Sequence, residues 1–438
     1  MSKPVRGTCM SSDVVVIGAG VAGIQAAMDI ARHNIHVWLI EREPSIGGHM
    51  AMLDKTFPTN DCSMCILSPK MAEVGRHPNI TILTLTDVEK IEGEAGNFTV
   101  TVTEYPRYIR EEDCTGCGDC TNICPIEVYN RFDAGIGVRK AIYKPHAQVV
   151  PNLVVKDNLH CIECGLCYDV CGKNAVLHLD EDTVQTREIS AAAVVIATGY
   201  TLFDAQKKSQ FGYLRYPDVI TSLEFERMIN AGGPTAGDIR RLSTGKVPES
   251  VVFIQCVGSR DLTVKRNLCS CVCCMYALKN AMLIKEHYPE TEVTILYNDL
   301  RAYGKGYEEY AERAKAMGVH IVRAFPGEVQ QTRGGTLVLP IEDTETREFK
   351  NLEAELVILS VGIEPEPDTT RLAENLGIPT DEARFLMPEH LKLNPAGTIR
   401  PGIYIAGTAA APKDIPDSVM SGGAAAMKAV IDACRSEN

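Results

Sequence analysis

The sequence lacks an excess of basic residues: 44 Lys and Arg stand against 57 Asp and Glu, a formal net charge of −13. That balance argues against a nucleic-acid binder and supplies no basic patch for anionic lipid. No apolar run approaches the roughly 18 residues that a spanning helix needs. The longest, Ala191 to Ala197, stops at Thr198-Gly199. Met1 to Ser12 is polar and the apolar run Val14 to Ile17 is too short for a signal core, so a cytoplasmic, reducing compartment is expected. The ten histidines form no H-x-x-x-H pair. No Ser/His/Asp set or carboxylate pair suggests hydrolysis either. Catalysis therefore belongs to cofactors rather than to acid–base side chains.

What the sequence does have is cysteine, 17 residues in 438. In a reducing compartment, clustered thiols point to metal ligands or redox groups rather than structural disulfides. Two runs share one spacing: Cys114-x-x-Cys117-x-x-Cys120-x-x-x-Cys124-Pro125 and Cys161-x-x-Cys164-x-x-Cys167-x-x-x-Cys171. This is the bacterial ferredoxin run, in which three thiolates hold one cubane and the fourth crosses to the other. One 4Fe–4S cluster is then assigned to Cys114, Cys117, Cys120 and Cys171, the other to Cys161, Cys164, Cys167 and Cys124. Gly116, Gly118 and Gly165 lie among the ligands, where bulky side chains would block amide donation to sulfur. The second run has Gly172 in place of Pro125.

The N-terminal region carries a dinucleotide fingerprint. Asp13-Val-Val-Val-Ile-Gly18-Ala-Gly20-Val-Ala-Gly23 reads as strand, tight turn and helix start. Gly18 allows the turn, Gly20 lets backbone approach a pyrophosphate, and Gly23 lets helix and strand pack closely. The next apolar strand ends in Glu41, 18 residues after Gly23, where an acid accepts ribose hydroxyls. Arg42, the pair Gly47-Gly48 and His49 follow in the loop that would approach a flavin. Downstream, Val194 to Gly199 and Gly402 to Thr408 are strands ending in small-residue turns, and Ser421 to Ala433 reads as a small-residue helix.

These features resemble the FAD domain of thioredoxin and glutathione reductases. The resemblance implies an α/β fold with two dinucleotide-binding domains, and FAD contacts at Thr198, Gly199, Gly407 and Thr408. That class usually has a ribityl-holding acid at the position of Thr408, so here the hydroxyl or nearby Asp414 must serve. Its second Rossmann unit is expected around Ser250 to Arg260 and Glu292 to Tyr297. Gly258 stands there without its partner glycines and Cys256 occupies the phosphate turn, so nicotinamide binding is expected to be lost. The expected segments are 13–106, 181–248 and 351–438 for the FAD domain, 107–180 for the inserted ferredoxin domain, and 249–350 for the second Rossmann-like domain.

The third cysteine group places Cys256, Cys269, Cys271, Cys273 and Cys274 within 19 residues. It suggests a metal site, a disulfide relay being the alternative. Adjacent Cys273 and Cys274 cannot point the same way from a regular helix, which predicts an irregular or helix-start loop. Together with Asp61-Cys62-Ser-Met-Cys65, Arg301-Ala-Tyr-Gly304-Lys-Gly306-Tyr-Glu and Pro412-Lys-Asp414-Ile415-Pro416-Asp, this group resembles the A subunit of the heterodisulfide reductases. It is similar also to the A subunit of the quinone-interacting membrane-bound oxidoreductase. The resemblance implies a third, non-standard 4Fe–4S cluster on Cys256, Cys269, Cys273 and Cys274 beside the flavin, with Cys271 an extra thiol. Longer members carry further cluster domains at both ends, so this chain reads as a short form.

Cys62 and Cys65 have three open readings: a redox disulfide, a ligand lent to a partner's cluster, or packed thiols. Cys9 and Cys434 lie near the termini, outside the ligand groups. Lys279, with Glu226 as partner, would set a charge near the flavin; the alternative is a solvated surface lysine. The resemblance implies partners: the B-type and C-type subunits, a hydrogenase or dehydrogenase component delivering electrons, ferredoxin, and a homodimer within the complex. Three functions remain open. One is an electron-transfer subunit of a heterodisulfide-reductase-like complex, with or without flavin-based bifurcation. The others are an A subunit of a quinone-interacting complex of sulfur metabolism, and a non-catalytic scaffold with a vestigial flavin site.

Overall fold

The computed structural model describes residues 13–434, so Cys9 lies outside the described residues. Two five-stranded parallel sheets organise the chain. The first runs in the order Ile403–Ile405, Ala193–Ile196, Val14–Ile17, Val37–Ile40, Ile80–Leu83. Its central strands are continuous apolar runs, as a sheet covered on both faces requires. Val14 and Val16 face the helices Val21–Ala31 and Ile415–Ala433. Val15 and Ile17 face the antiparallel ribbon of Thr86–Glu94, Asn97–Glu104 and Gln185–Ala191. The last helix begins at Ile415, six residues before the expected Ser421, because Asp414 caps it through Asp417 N.

The second sheet has the order Val219–Thr221, Leu356–Val361, Ser250–Val257, Glu292–Tyr297, His320–Arg323. It draws its first two strands from outside the 249–350 segment, so the unit is wider than that segment. These short strands pair in parallel with one another (Ile220 opposite Ile358), and Leu356 opposite Val251 joins them to the sheet. Helices Ser222–Ile229, Cys273–His287 and Tyr307–Ala316 cover one face and an antiparallel ribbon covers the other. The small Tyr200–Leu202 and Ile363–Pro365 ribbon links the two units.

The cysteine-rich insert leaves at the end of Asn97–Glu104 and returns at Gln185–Ala191, strands that pair from Glu104 opposite Gln185. Its two five-residue helices, Asp119–Ile123 and Leu166–Val170, each start after a left-handed glycine, Gly118 and Gly165. A Cβ at either glycine would meet nothing within 4 Å. The requirement there is the backbone sign rather than room for amide donation. Gly116 is the crowded one, its Cβ position lying 2.5 Å from Asn152 O. The insert is clamped onto the helix Ser222–Ile229 of the second unit by Arg227, 3% exposed, whose Nε lies 3.0 Å from Asp133 Oδ1, and onto the first unit at Ile46. Ile46 N also donates to Val150 O at 3.0 Å.

Candidate functional site

The first strand feeds the glycine turn, and the turn opens on a cavity of about 870 Å³. Gly18, Gly20, Glu41, Arg42, Gly48 and His49 line its nucleotide end. Thr198, Gly199, Gly407, Thr408, Asp414, Ile415 and Pro416 line its middle. Gly23 and Gly47 are not in the wall. A Cβ at Gly23 would sit 1.8 Å from Gly18 O, so it holds the helix against the turn. Gly47, at φ +123, turns the loop.

The residues present fit FAD. Gly20 has nothing within 4 Å of its Cβ position, leaving backbone bare to the cavity. Glu41 is buried at the end of its strand; Ala19 N donates to Oε2 at 2.8 Å and Glu43 N to Oε1 at 3.0 Å. Burial pushes its carboxyl up to about 7, against those two amide bonds. Arg42 does not stand free, pairing with Glu366 at 2.8 Å and Asp368 at 3.3 Å. His49 stacks on Tyr200 with ring centroids 4.2 Å apart, and burial with the charges of Arg42 and Arg131 lowers it to about 4. Asp414 accepts from Tyr307 OH at 2.6 Å, joining the two downstream motifs that resemble one family.

At the far end the wall is Ser222, Glu226, Tyr276, Lys279 and Val361. Lys279 is 1% exposed and ion-paired with Glu226, itself 3% exposed. Lys279 Nζ also donates to Lys55 O at 3.1 Å, and Asp54 N donates to Glu226 Oε2 at 3.1 Å. The solvated-lysine reading is thereby corrected, because the helix presents this residue to the cavity between the two sheets. Sequence alone missed a further wall: Asn130, Arg131, Phe132 and His146 of the insert line the same cavity.

Cys256 lies in the strand Ser250–Val257 with φ +60, and Cys273 and Cys274 are the first residues of their helix. That helix-start placement is the one the adjacent pair predicted. Burial pushes Cys256 up to about 11, with Cys274 and Cys269 acting on it electrostatically. Burial raises Cys273 as well, with Cys274, Cys256 and Cys269 adding to it. Cys269 and Cys273 act on Cys271 too, so all five thiols of the group lie close together. Cys271 also hydrogen-bonds Cys269, holding that sulfur low, at about 6. Cys273 and Tyr276 both reach Val361 O, at 4.0 and 3.1 Å, which puts this group against the cavity wall. Where a nicotinamide-binding unit would place a helix, residues 258–272 form a loop holding only the short 3-10 turn Leu262–Val264, and a Cβ at Gly258 would meet the Phe203 ring at 2.0 Å.

In the insert, Cys124 of the first run meets Cys161, Cys164 and Cys167 around one small cavity. Burial pushes Cys120 up to about 11, with Cys114 and Cys117 acting on it. Cys171, whose sulfur accepts Ala175 N at 3.3 Å, packs on the same core as Cys120. Among the described residues no three His, Cys, Asp or Glu side chains are gathered as a single metal ion would need. A cubane takes its thiolates on separate irons, and the crossed runs suit that chemistry. Cys62 and Cys65 form a disulfide at the start of the helix Ser63–Arg76. No helix among the described residues is long and apolar enough to cross a membrane.

Comparison with known proteins agrees with this construction. A model of the 4Fe-4S dicluster domain matches residues 113–176, and one of FAD dependent oxidoreductases matches residues 13–60. Thioredoxin reductase from T. acidophilum superposes over 96% of this chain and 98% of its own with a TM-score of 0.53 at 15% identity. The Lactococcus lactis enzyme gives 0.53 over 96% of this chain and 99% of its own at 16% identity. These likenesses show the fold: two dinucleotide-binding units, with a dicluster insert. The iron-sulfur A subunit of the CoB--CoM heterodisulfide reductase of Methanocaldococcus jannaschii is 49% identical over 414 residues, 94% of this chain and 63% of that protein. The A subunit of the H(2):CoB-CoM heterodisulfide,ferredoxin reductase of Methanothermobacter marburgensis is 46% identical over 99% of this chain and 66% of its own. The chain therefore spans just under two thirds of the length of these relatives. It belongs to the A-subunit family of the heterodisulfide reductases.

Proposed function

We propose that this chain is the FAD- and iron–sulfur-dependent electron-transfer subunit of a heterodisulfide-reductase-like complex, an oxidoreductase working in the cytoplasm with partner subunits. The observation that carries the reading is the single cavity running from the glycine turn to the helix that starts with Cys273 and Cys274. When bound there, FAD exchanges electrons in pairs or singly, and iron–sulfur clusters take them one at a time.

Glu41 would hold the adenosine ribose through its carboxylate, and the Gly18 to Gly20 backbone with the following helix would hold the pyrophosphate. Thr408 and Asp414 stand where the ribityl chain would pass. Lys279 keeps an ammonium in the wall at the reducible end; Lys55 O and Glu226 take two of its three donors, leaving one for the flavin. Glu226 fixes that ammonium in place. Cys256, Cys269, Cys273 and Cys274 would hold the third 4Fe–4S cluster, and the crossed ferredoxin runs the other two. The ring of Phe203 against Gly258 and the loop at 258–272 support electrons passing between proteins rather than from a nicotinamide. Two-electron and one-electron chemistry meet in this chain, which is the arrangement that flavin-based bifurcation requires.

Anaerobically purified protein is expected to hold about one FAD and about twelve iron atoms per chain, four per cubane. Eight irons would remove the third cluster from the reading. Full and rapid reduction by NADH alone would overturn the loss of nicotinamide binding.

A further inference from the structure

Lys156 is a buried ammonium with no carboxylate. It ends the short strand Val155–Lys156 and is 2% exposed. Its Nζ donates to Tyr168 OH at 2.5 Å and Leu177 O at 2.6 Å, and lies 4.6 Å from the centroid of the Tyr168 ring. Among the described residues it forms no ion pair. Glu163 and Glu181 act on Tyr168 electrostatically, yet neither pairs with Lys156. A cation taken out of water in this way needs an anion, since neutral acceptors alone do not compensate its desolvation.

The anion within reach is thiolate. Lys156 lines the small cavity enclosed by Cys124, Cys161, Cys164 and Cys167, and its charge acts directly on Cys167. A cubane held by four thiolates is negative in both states and gains one more negative charge on one-electron reduction. A fixed cation beside it favours the reduced state most, and low dielectric strengthens the effect.

Among the described residues the other thiolate group has no buried cation free of a carboxylate. Lys144 donates to Gly116 O at 2.9 Å from a half-exposed position, where solvent screens it. Arg107, 4% exposed, acts on Cys114, but Glu111 Oε1 lies 3.0 Å from its Nε and offsets part of that charge. The pseudo-symmetric runs therefore sit in unequal fields.

We propose that Lys156 is the fixed countercharge of the cluster held by Cys124, Cys161, Cys164 and Cys167. It sets that cluster's reduction potential above its neighbour's, so an electron entering the insert comes to rest there. The inference rests on the two-cluster reading of the insert.

The test is a potentiometric titration of the anaerobic full-length holoprotein with dithionite, followed by EPR, together with iron content. Lys156→Met should leave iron content unchanged and lower the midpoint of the higher-potential insert signal. At the wild-type midpoint, about tenfold less of it should be reduced relative to oxidised, a shift of about 59 mV for one electron. The second signal should stay put, and Lys156→Arg should restore the first. Cys164→Ser should remove or alter the higher-potential signal, a readout that holds even if Lys156→Met fails to assemble. Loss of the lower-potential signal in Cys164→Ser, an unmoved midpoint in Lys156→Met, or equal shifts of both signals would overturn the proposal. Wild-type protein without two insert signals would overturn the two-cluster reading itself, which is a separate failure.

Discussion

Replacing Lys279 by Met tests whether the cavity holds a true buried ion pair. The substitution keeps the length of the apolar stem and removes only the ammonium. Glu226 is then left 3% exposed, with one amide bond from Asp54 N at 3.1 Å and no countercharge. Breaking one half of a buried pair costs about 3–5 kcal/mol, because the remaining charge is stranded. The pair is strongly buried on both sides and tied to backbone on both sides, so the middle of that range, about 4 kcal/mol, is expected.

Urea denaturation of the anaerobic holoprotein, at unchanged m, reads the loss as a lower midpoint. The double variant Lys279→Met, Glu226→Leu should recover most of it, since removing both charges leaves nothing unpaired. FAD content reports whether the cavity survives in each. A loss below about 1 kcal/mol in Lys279→Met would mean that water reaches the pair, as for surface ion pairs. A double variant as damaged as the sum of the single ones would refute the coupling.

Two further outcomes follow from the nucleotide end. Glu41 is held near 7 by burial, well above its usual 4.5. The FAD-free chain should accordingly lose stability as pH rises through about 7, having its full share below about 4.5. With Glu41 holding the ribose as proposed, FAD binding uses the ionised carboxylate, so affinity should rise about tenfold from pH 6 to pH 8, and Glu41→Gln should flatten the trend in a fluorescence titration. Gly23→Val should force the Gly18 turn apart, its Cβ falling 1.8 Å from Gly18 O. It should cost about 1–3 kcal/mol or more and leave the purified protein depleted of FAD by absorbance. Normal FAD retention would count against Gly23 as the packing contact.

Chemistry written in local spacing was legible in the sequence. The glycine turn, Glu41 at the strand end and the spacing within each cysteine run all depend on residues a few positions apart, or on strands whose pattern is unambiguous. The strand Glu292–Tyr297 was readable to the residue for the same reason. What depended on long-range packing was not legible. Lys279 looks like any charged helix residue until the second sheet and the loop at Asp54 and Lys55 close over it. The insert reads as a separate module, and nothing local announces that Phe132 and His146 wall the flavin cavity. Leu356–Val361 carries the same apolar-then-glycine ending as an FAD-domain strand. Only its pairing with Ser250–Val257 assigns it to the other sheet.

On the proposed reading, the Cys273–His287 helix lets one unit carry thiols where a nicotinamide-binding unit carries a phosphate site. In a nicotinamide-binding unit the helix after this strand starts at the turn and directs its N-terminus at phosphate. Here the turn is filled by Phe203, the chain detours through residues 258–272, and the helix starts only at Cys273. From that start the helix carries in succession two thiols, then Tyr276 in the cavity wall, then Lys279 opposite Glu226. Delaying the helix by one loop moves its first turn from a phosphate to the thiol group, while its second turn still faces the cavity. The fold therefore needs no new domain to place thiols and a fixed positive charge on the same side of the flavin cavity. A single helix supplies both, and its register keeps them apart by a fixed distance.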